Sequence, residues 1–356
     1  MKLEDIVTAI TPLDQKWIGK AQARTEQLVM PTRALGRLHE ISERMCAIQK
    51  TLQPSTSRKA VLVMAGDHGV VEEGVSAYPQ EVTGAMVQTF LVGGAGISAI
   101  SRHVGAEVFV VDMGIIPELD VAKVQGNHRL IVRKVGKGTN NFARGPAMSR
   151  DDAEYAILEG FRQASELFQD GIDILGTGDM GIGNTTPAAA IGAVVSGADL
   201  GKMVGRGTGV DDEGLRRKQE AIRRGIEMNH PIPEDGLDVL AKIGGFEIGG
   251  LAGCVLAGAY HRRAVVIDGF ISTSGALIAH ILCPTVAEYL FAGHCSEEPG
   301  HRIMLNHLHL EPILDLGMRL GEGTGATLAM GIIDGAVKVF KDVLTFEEAG
   351  VANKED

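Results

Sequence analysis

The sequence predicts an α/β fold with a doubly wound, mostly parallel sheet of about six strands and a second, smaller helical domain. Short, wholly apolar runs such as residues 60–66 are typical of strands buried on both faces of a parallel sheet. Helical patterns alternate with these runs, as expected for right-handed crossovers. Glycine and polar residues follow nearly every run, at the edge where a Rossmann-like sheet carries its ligand site.

The predicted elements follow in order along the chain. Residues 1 to about 53 have apolar side chains at three- and four-residue spacings, which predicts amphipathic helices interrupted at Pro31. The predicted strands are 60–66, 107–114, 129–134, 171–176, 264–269 and 289–293. The helical patterns between them span about 82–103, 150–169, 186–197, 213–228, 247–261 and 273–282. A chain of 356 residues suits a large domain plus a smaller one.

The composition argues against several classes of protein. A net charge of −11 disfavours sequence-blind nucleic-acid binding. No apolar run approaches the ~18 residues of a membrane span, and the first residues are acidic where a signal peptide is basic. The four cysteines lack CxxC spacing, so they indicate neither a disulfide framework nor a zinc knuckle. We therefore expect a cytoplasmic protein without nucleic-acid or membrane partners.

Polar side chains follow most of the predicted strands. In open α/β sheets, the crevice at the carboxyl ends of the strands binds the ligand. The residues that could share this crevice are Asp67, His68, Asp112, Asp179, Asp268 and Ser296.

Residues 176–181 match the GxGxxG dinucleotide fingerprint after a strand and before a helix. The match comes at the fourth strand, and no acidic residue ends a clear next strand about twenty residues on, which disfavours NAD. A phosphate nest of backbone amides leading into a helix N-terminus is better supported. Gly183 and Asn184 extend that nest, and Pro187 fits the first turn of the helix.

A second glycine-rich loop, Gly205–Gly209, precedes a basic helix. No GxxxxGK[ST] match exists, which argues against a P-loop kinase. Lys218 on the helix could reach a phosphate as a point charge, or it could belong to a solvated basic face.

Several histidines and cysteines lie close in the sequence near the C-terminus. Their spacings match no zinc pattern, so we expect no metal. The absence of GxSxG and HExxH motifs also disfavours hydrolases. The residues concerned are Cys283, His294, Cys295, His301, His307 and His309.

Glu322 stands between Gly321 and Gly323, directly before a predicted helix over residues 327–340. Glycines beside a carboxylate let the backbone approach a ligand closely. The same pattern fits a helix-capping turn, where acidic residues are common.

Many segments together resemble the nicotinate-nucleotide:dimethylbenzimidazole phosphoribosyltransferase family of cobalamin lower-loop synthesis. The resemblance covers almost the whole chain. Its segments are Leu35–Leu38, Ala65–Val70, Val82–Thr83, Met86–Val87, Gly93–Gly96, Val111–Ile115, Gly138–Asn140, Met180–Thr186, Gly205–Gly209, Gly244–Gly249, Asp268–Thr273, Glu298–Arg302 and Leu320–Ala326.

The resemblance implies transfer of 5-phosphoribose from nicotinate mononucleotide to a benzimidazole-type base, giving an α-riboside 5′-phosphate and nicotinate without a cofactor. It also implies a homodimer. A large α/β catalytic domain would span residues 55–300, and a small helical domain would combine residues 1–54 and 301–356. Members accept benzimidazoles, purines or phenolics, which leaves the natural base open.

The resemblance also assigns roles to single residues. Glu322 would be the general base, and Asp179 an assistant that replaces the family's usual Glu. The residues implied to hold phosphate and ribose are Gly181, Gly183, Asn184, Gly205, Lys218, Asp268 and Ser296. The implied base pocket, more apolar than in some members, consists of Tyr78, Met86, Met180 and Leu320.

Two other functions remain open at the level of sequence. One is a Rossmann-type NAD-dependent oxidoreductase that uses residues 176–181. The other is a nucleotide-binding relative without activity, which the intact Glu322 disfavours.

Overall fold

The computed structural model describes residues 1–119 and 129–352. It contains a seven-stranded sheet with the order β3-β2-β1-β4-β5-β6-β7, in which all neighbouring strands are parallel. The strands are β1 Lys59–Gly66, β2 Ala106–Gly114, β3 Arg129–Val132, β4 Ile174–Met180, β5 Ala264–Ile267, β6 Leu290–Ser296 and β7 Pro312–Met318. The predicted doubly wound α/β fold is confirmed, with one strand more than expected.

Helices fill the connection between β1 and β2 and all the connections from β3 to β7. The apolar runs of β1 and β5 are buried throughout, as their unbroken apolar sequences predict. The helices are α1 Leu3–Ala9, α2 Gln15–Thr25, α3 Arg37–Gln49, α4 Val82–Leu91, α5 Gly96–Val104, α6 Arg150–Gln169, α7 Thr185–Ser196, α8 Leu200–Met203, α9 Asp212–Asn229, α10 Gly236–Ile243, α11 Phe246–Tyr260, α12 Phe270–Leu282, α13 His301–His307, α14 Thr324–Asp342 and α15 Phe346–Ala349.

The strand order reverses between β1 and β4. Both strands are neighbours in the sheet, with Ala65 opposite Met180, but the chain leaves them toward opposite edges. Crevices at such switch points are the usual ligand sites of open α/β sheets. The fold therefore predicts a ligand site among the residues that follow β1 and β4.

The predicted helix 82–103 is two helices. A break at Val92–Ala95, where Gly93 has φ +76°, separates α4 from α5. Residues 82–104 are long and apolar enough for a membrane span by composition alone, with a mean hydropathy of 1.3. The two helices have only 10 and 9 residues, so neither has the ~20 residues that a span needs.

Strand β7 was not predicted. Its residues are half-buried or exposed, because it forms an edge of the sheet, so it lacks the apolar run that marks the inner strands. The strand lies within residues 301–356, which the sequence assigned to the small helical domain. The sheet therefore continues past residue 300.

Helices from both chain ends do pack together. Helices α2 and α3 contact each other, and α3 contacts α14. Leu28 also forms a β-bridge with Thr345, and the Arg24 side chain donates to the Phe340 carbonyl over 3.1 Å. These contacts suit a small unit built from both ends, although its division from the rest stays a prediction, and residues 353–356 lie outside the described chain.

Candidate active site

A cavity of about 510 Å³ lies at the carboxyl ends of the central strands. Its volume is within the usual range of small-molecule sites. Among the residues that line it are predicted ones from the catalytic pair, the phosphate loop and the base pocket: Tyr78, Met86, Asp179, Met180, Gly181, Asn184, Ser296, Leu320 and Glu322. The structure therefore gathers these sequence-distant residues at one place beside the switch point.

Of the four aspartates expected at this crevice, Asp67, Asp112 and Asp268 do not line the cavity. Asp67 accepts a hydrogen bond from the Ile116 amide, and Asp112 accepts bonds from the Gly114 and Ile115 amides. Both carboxylates are thereby used to fix the loop after β2. His68 also lies off the cavity surface, where its Nε2 is 2.9 Å from a carboxylate oxygen of Glu247.

Glu322 occupies the loop before α14 and has φ +63°, an uncommon torsion for a residue with a side chain. Its Oε2 accepts a hydrogen bond of 3.0 Å from the Ile97 amide, so the carboxylate lies at the N-terminus of α5. Burial raises the pKa of Glu322, the Ile97 hydrogen bond opposes this rise, and the charge of Asp268 adds to it. Glu322 thus combines a fixed position with increased basicity.

Asp268 lies beneath this loop. Its two carboxylate oxygens accept hydrogen bonds from the Gly323 and Ala326 amides, at 3.1 and 2.8 Å. The carboxylate therefore caps the first turn of α14 and fixes the Glu322 loop. Asp268 does not line the cavity, so its position suits support of Glu322 better than the expected contact with substrate.

The glycine fingerprint at 176–181 is used differently from the prediction. Strand β4 extends to Met180, so Gly176 and Gly178 lie inside the sheet rather than in a loop. A Cβ at Gly178 would lie 2.5 Å from the Glu322 carbonyl oxygen, and one at Gly176 would lie 2.8 Å from Met330. These glycines therefore let α14 and the Glu322 loop approach the sheet, and they do not form a phosphate nest.

Asp179 faces the cavity near the end of β4. One carboxylate oxygen accepts a 2.9 Å hydrogen bond from the Asn184 side chain, and the other has no partner within the described chain. Burial, followed by the charge of Asp268, raises the pKa of Asp179 to about 8. At neutral pH this carboxyl is therefore mostly protonated.

Lys218 is fully buried behind the cavity wall, which rules out the solvated basic face. Its Nζ donates to the Thr185 hydroxyl over 2.6 Å and to the Gly205 carbonyl over 3.3 Å. A Cβ at Gly207 would lie 2.9 Å from this Nζ, so the glycine loop closes directly over the amine. Burial lowers the pKa of Lys218 to about 8, with the charge of Glu298 opposing that fall.

The phosphate-loop residues lie where β4 passes into α7. Asn184 is the N-cap of α7, and Gly183 has φ +88°, which favours glycine. A Cβ at Gly181 would lie 2.4 Å from the Gly66 carbonyl oxygen, so the backbones after β1 and β4 meet closely here. Gly181 lines the cavity, whereas Gly183 and Gly205 do not.

One wall of the cavity is apolar. Tyr78, Val82 and Met86 form it together with Met180 and Leu320. Tyr78 and Leu320 are 55% and 60% exposed, so this wall lies at the mouth. Such a wall suits a flat aromatic molecule that enters from solvent.

Some cavity residues were missed by sequence reasoning. Glu298 accepts a 3.0 Å hydrogen bond from the Gly207 amide, and Thr208 accepts one of 2.9 Å from the Ala77 amide. His294 was considered only as a metal ligand. The available signal was the group of polar residues at 294, 296 and 298, which follows the predicted strand 289–293 at its carboxyl end.

No group of three or more His, Cys, Asp or Glu residues suited to a metal ion occurs in residues 1–119 and 129–352. His307 is the last residue of α13, and His309, two residues later, has φ +54°.

The parallel sheet and the carboxylate-lined cavity beside a buried lysine define an α/β enzyme site. A family model described as a phosphoribosyltransferase matches residues 10–351. The chain is also 53% identical over 353 residues to the nicotinate-nucleotide–dimethylbenzimidazole phosphoribosyltransferase of Geotalea uraniireducens, with 99% of each chain covered. The enzyme of the same name from Geobacter sulfurreducens is 52% identical over 350 residues, with 98% of each covered.

A solved structure shows similarity to a protein of the same name. The crystal structure of this phosphoribosyltransferase from Thermus thermophilus matches with a TM-score of 0.89 and 45% identity, covering 96% of this chain and 100% of that one. The chain belongs to the nicotinate-nucleotide–dimethylbenzimidazole phosphoribosyltransferase family, which confirms the resemblance. The comparisons give no support to an NAD-dependent oxidoreductase.

Proposed function

We propose that the protein transfers 5-phosphoribose from nicotinate mononucleotide to 5,6-dimethylbenzimidazole or a similar base in cobalamin biosynthesis. The products are an α-riboside 5′-phosphate (α-ribazole phosphate) and nicotinate. The observation that carries this proposal is the buried, amide-anchored carboxylate of Glu322 in a cavity that has an apolar wall and lies beside a buried lysine.

The chemistry requires one general base. The donor's glycosidic nitrogen is part of a cationic pyridinium, so when its bond to C1′ breaks, nicotinate leaves without needing an acid. A ring nitrogen of the acceptor forms the new bond to C1′, and the proton on its other nitrogen must be removed. Glu322 takes that proton and later releases it to solvent.

Glu322 suits this role because its pKa is raised by burial while Ile97 holds one of its oxygens. Asp179 assists as a protonated carboxyl group, whereas Glu322 acts as a charged carboxylate. With a pKa of about 8, it keeps its proton at neutral pH and leaves Glu322 as the charged base. Asn184 holds the Asp179 side chain in place.

The phosphate of the donor binds on the side of Lys218. The protonated amine would form a charge-assisted hydrogen bond, and backbone amides near Gly181 and the α7 N-terminus add further donors. Thr185 and Gly207 line the cavity and contact Lys218, which supports this placement. The loop of Gly205 completes the cradle by accepting a hydrogen bond from the same amine.

The acceptor base lies against Tyr78, Met86, Met180 and Leu320. Methionine side chains adapt to varied flat shapes. Purines carry several hydrogen-bonding groups that an apolar wall leaves unpaired. We therefore propose a preference for benzimidazoles, with the Tyr78 hydroxyl as the one polar group on this wall.

The experiment is incubation with nicotinate mononucleotide and a panel of bases, with products identified by mass. In direct competition at equal concentration, dimethylbenzimidazole should be used in preference to adenine. Each buried methyl contributes about 0.8 kcal/mol, so benzimidazole should be used roughly 10- to 15-fold less well than its dimethyl form. Absence of nicotinate release with every base would contradict the proposed transfer, and preference for adenine would contradict the apolar pocket.

We also propose that the protein is a cytoplasmic homodimer. The family resemblance supports the dimer. Four free, buried cysteines (Cys46, Cys254, Cys283 and Cys295) support a reducing compartment.

A further inference from the structure

Two loops of the chain meet at the mouth of the cavity. One is the loop of residues 205–209, beside Lys218, which we call the glycine loop. The other is the segment of residues 76–78, which carries Tyr78 onto the apolar wall and which we call the Tyr78 segment. Gly207, Thr208 and Tyr78 all line the cavity, so the two loops face the phosphate side and the base side of the proposed substrates.

One side chain joins the two loops. The Thr208 hydroxyl accepts a 2.9 Å hydrogen bond from the Ala77 amide and lies 3.3 Å from the Ser76 hydroxyl. The Ser76 hydroxyl in turn accepts a 3.1 Å hydrogen bond from the Tyr78 amide. In the part of the chain that the structure describes, no other residue outside the Tyr78 segment is hydrogen-bonded to it. Because Tyr78 is also exposed, its place on the wall depends on Thr208.

The glycine loop has a conformation that a bound phosphate would restrict. Gly207 and Gly209 have φ of +52° and +98°, and glycine leaves the backbone free to adopt other torsions. The loop is fastened where the Gly205 carbonyl accepts a bond from the Lys218 amine and where the Gly207 amide donates to Glu298. A Cβ at Gly207 would lie only 2.9 Å from the Lys218 amine, so a phosphate on this amine lies against the loop. The phosphate thereby fixes the loop together with the Thr208 hydroxyl.

We propose that Thr208 is a positioning residue that transmits binding of the donor's phosphate to Tyr78 and so raises the affinity for the acceptor base. This inference rests on the proposed function for the identity of the two substrates. The phosphate holds the glycine loop, the Thr208 hydroxyl holds the Tyr78 segment, and the Tyr78 ring then lies against the base. The acceptor therefore binds best to the enzyme that already holds a phosphorylated donor.

The hydrogen bonds at Thr208 set the size of this effect. The net contribution of one intramolecular hydrogen bond changes an equilibrium constant by roughly 3- to 10-fold. Acceptor affinity should rise by about that factor when the phosphate site is filled. Coupling between two bound ligands is reciprocal, so the acceptor should raise the affinity for the phosphorylated ligand by the same factor.

The test uses ribose 5-phosphate, which carries the phosphate and the sugar but has no base to transfer. Titration calorimetry measures the dissociation constant of 5,6-dimethylbenzimidazole without and with saturating ribose 5-phosphate. For the wild type, the base should bind about 3- to 10-fold tighter in its presence. In Thr208→Val, which keeps the shape of the side chain but removes the hydroxyl, the two constants should agree within about 1.5-fold. Thr208→Ser keeps the hydroxyl and should keep the increase.

A second pair of variants tests the other end of the connection. Tyr78→Leu removes the ring that the connection positions, so this variant should lose the increase although Thr208 is intact. Met86→Leu is the matched control, because it changes the same apolar wall outside the Tyr78 segment and should keep the increase. A purely structural role of Thr208 would lower the stability of Thr208→Val in thermal unfolding and leave the ratio of the two constants unchanged.

The proposal is overturned if ribose 5-phosphate fails to bind the wild type, or if it tightens binding of the base by less than about 1.5-fold. It is also overturned if Thr208→Val or Tyr78→Leu keeps the full increase, or if Thr208→Ser loses it.

Failure of this connection and failure of the proposed function give different results. Wild type that shows the increase in affinity but releases no nicotinate with any base would retain the connection through Thr208 and overturn the transfer reaction. Wild type that forms the riboside but binds the base equally well with and without ribose 5-phosphate would overturn the connection alone.

Discussion

Glu322 has a left-handed backbone torsion, φ +63°, between two glycines that also have positive φ. For a residue with a Cβ this conformation costs about 1–2 kcal/mol. The Asp268 carboxylate, which binds two amides of the following turn, and the Ile97 amide hold the residue in place. Strain that is held by several contacts commonly accompanies a functional side chain.

Replacement of Glu322 by Gln should leave the fold intact and abolish most of the transfer. The amide has nearly the same shape and can still accept the Ile97 hydrogen bond, but it cannot take a proton. Loss of a general base typically lowers the rate by about 10²–10⁴-fold. The measurement is nicotinate release at pH 7 with saturating substrates, and a rate within about threefold of wild type would remove Glu322 from the mechanism.

The buried amine of Lys218 should make donor binding depend on pH. Its pKa of about 8 means that it is charged below pH 8 and neutral above, while the donor phosphate is fully ionised above about pH 7. Affinity for nicotinate mononucleotide should therefore fall as the pH rises through 8, approaching about tenfold per pH unit. Calorimetry from pH 7 to 9.5 measures this fall.

Two lysine variants test the origin of this pH dependence, one at Lys218 and a control at an exposed lysine. Lys218→Met should weaken binding at pH 7 by roughly 10–150-fold and remove the pH dependence, since a hydrogen bond to a charged group contributes about 1.5–3 kcal/mol. Lys202→Met, at an exposed lysine, should behave as wild type. Equal affinity of wild type and Lys218→Met for the mononucleotide would contradict the phosphate assignment.

Single residues could be predicted from the sequence only as candidates. The glycines around Glu322 left a helix-capping turn open, and the family resemblance assigned this residue its proposed role as general base. Lys218 remained undecided, because spacing along a helix does not reveal whether a side chain lies under a loop 13 residues earlier in the chain. Glu298 was missed because its role depends on Gly207, which is distant in sequence and close only in the folded chain.

At the scale of elements, β4 and the loop before α14 are joined by close backbone contact. Gly178→Ala places a Cβ about 2.5 Å from the Glu322 carbonyl, where backbone must move. We expect lower stability by roughly 1–3 kcal/mol and slower transfer, because the carboxylate moves with its loop. Urea unfolding and nicotinate release measure the two effects.

Gly331→Ala is the matched control for Gly178→Ala. Gly331 is an exposed position of α14 with open space around its Cα. Alanine there should raise stability by about 0.5–1 kcal/mol and leave the rate unchanged. A Gly178→Ala variant as stable and active as wild type would show that the close approach is not needed.

Elements with strong local signals were predicted well. The buried strands β1, β2 and β5 appear as apolar runs because both faces are covered by helices. The edge strand β7 was missed because a half-exposed strand has no such run. The break between α4 and α5 was missed because the apolar pattern continues on both sides of Gly93 and Gly94. Only the positive φ of Gly93 in the folded chain shows the turn.

At the scale of the whole molecule, the cavity is lined by residues from Tyr78 to Glu322, so it exists only when most of the chain is folded. A donor that binds it should stabilise the protein against global unfolding. At a concentration 100-fold above the dissociation constant, the gain is about 2.7 kcal/mol. For a chain of 356 residues this corresponds to an increase of about 4 °C in Tm.

Differential scanning calorimetry with nicotinate mononucleotide measures this increase. The riboside without phosphate, at the same concentration, should raise Tm by less than about 2 °C, because it lacks the group that binds Lys218. The sheet extends past residue 300 into the segment assigned to the small domain, so we expect one transition that shifts as a whole. Two transitions, of which only one shifts, would mean that the chain-end helices unfold independently of the cavity.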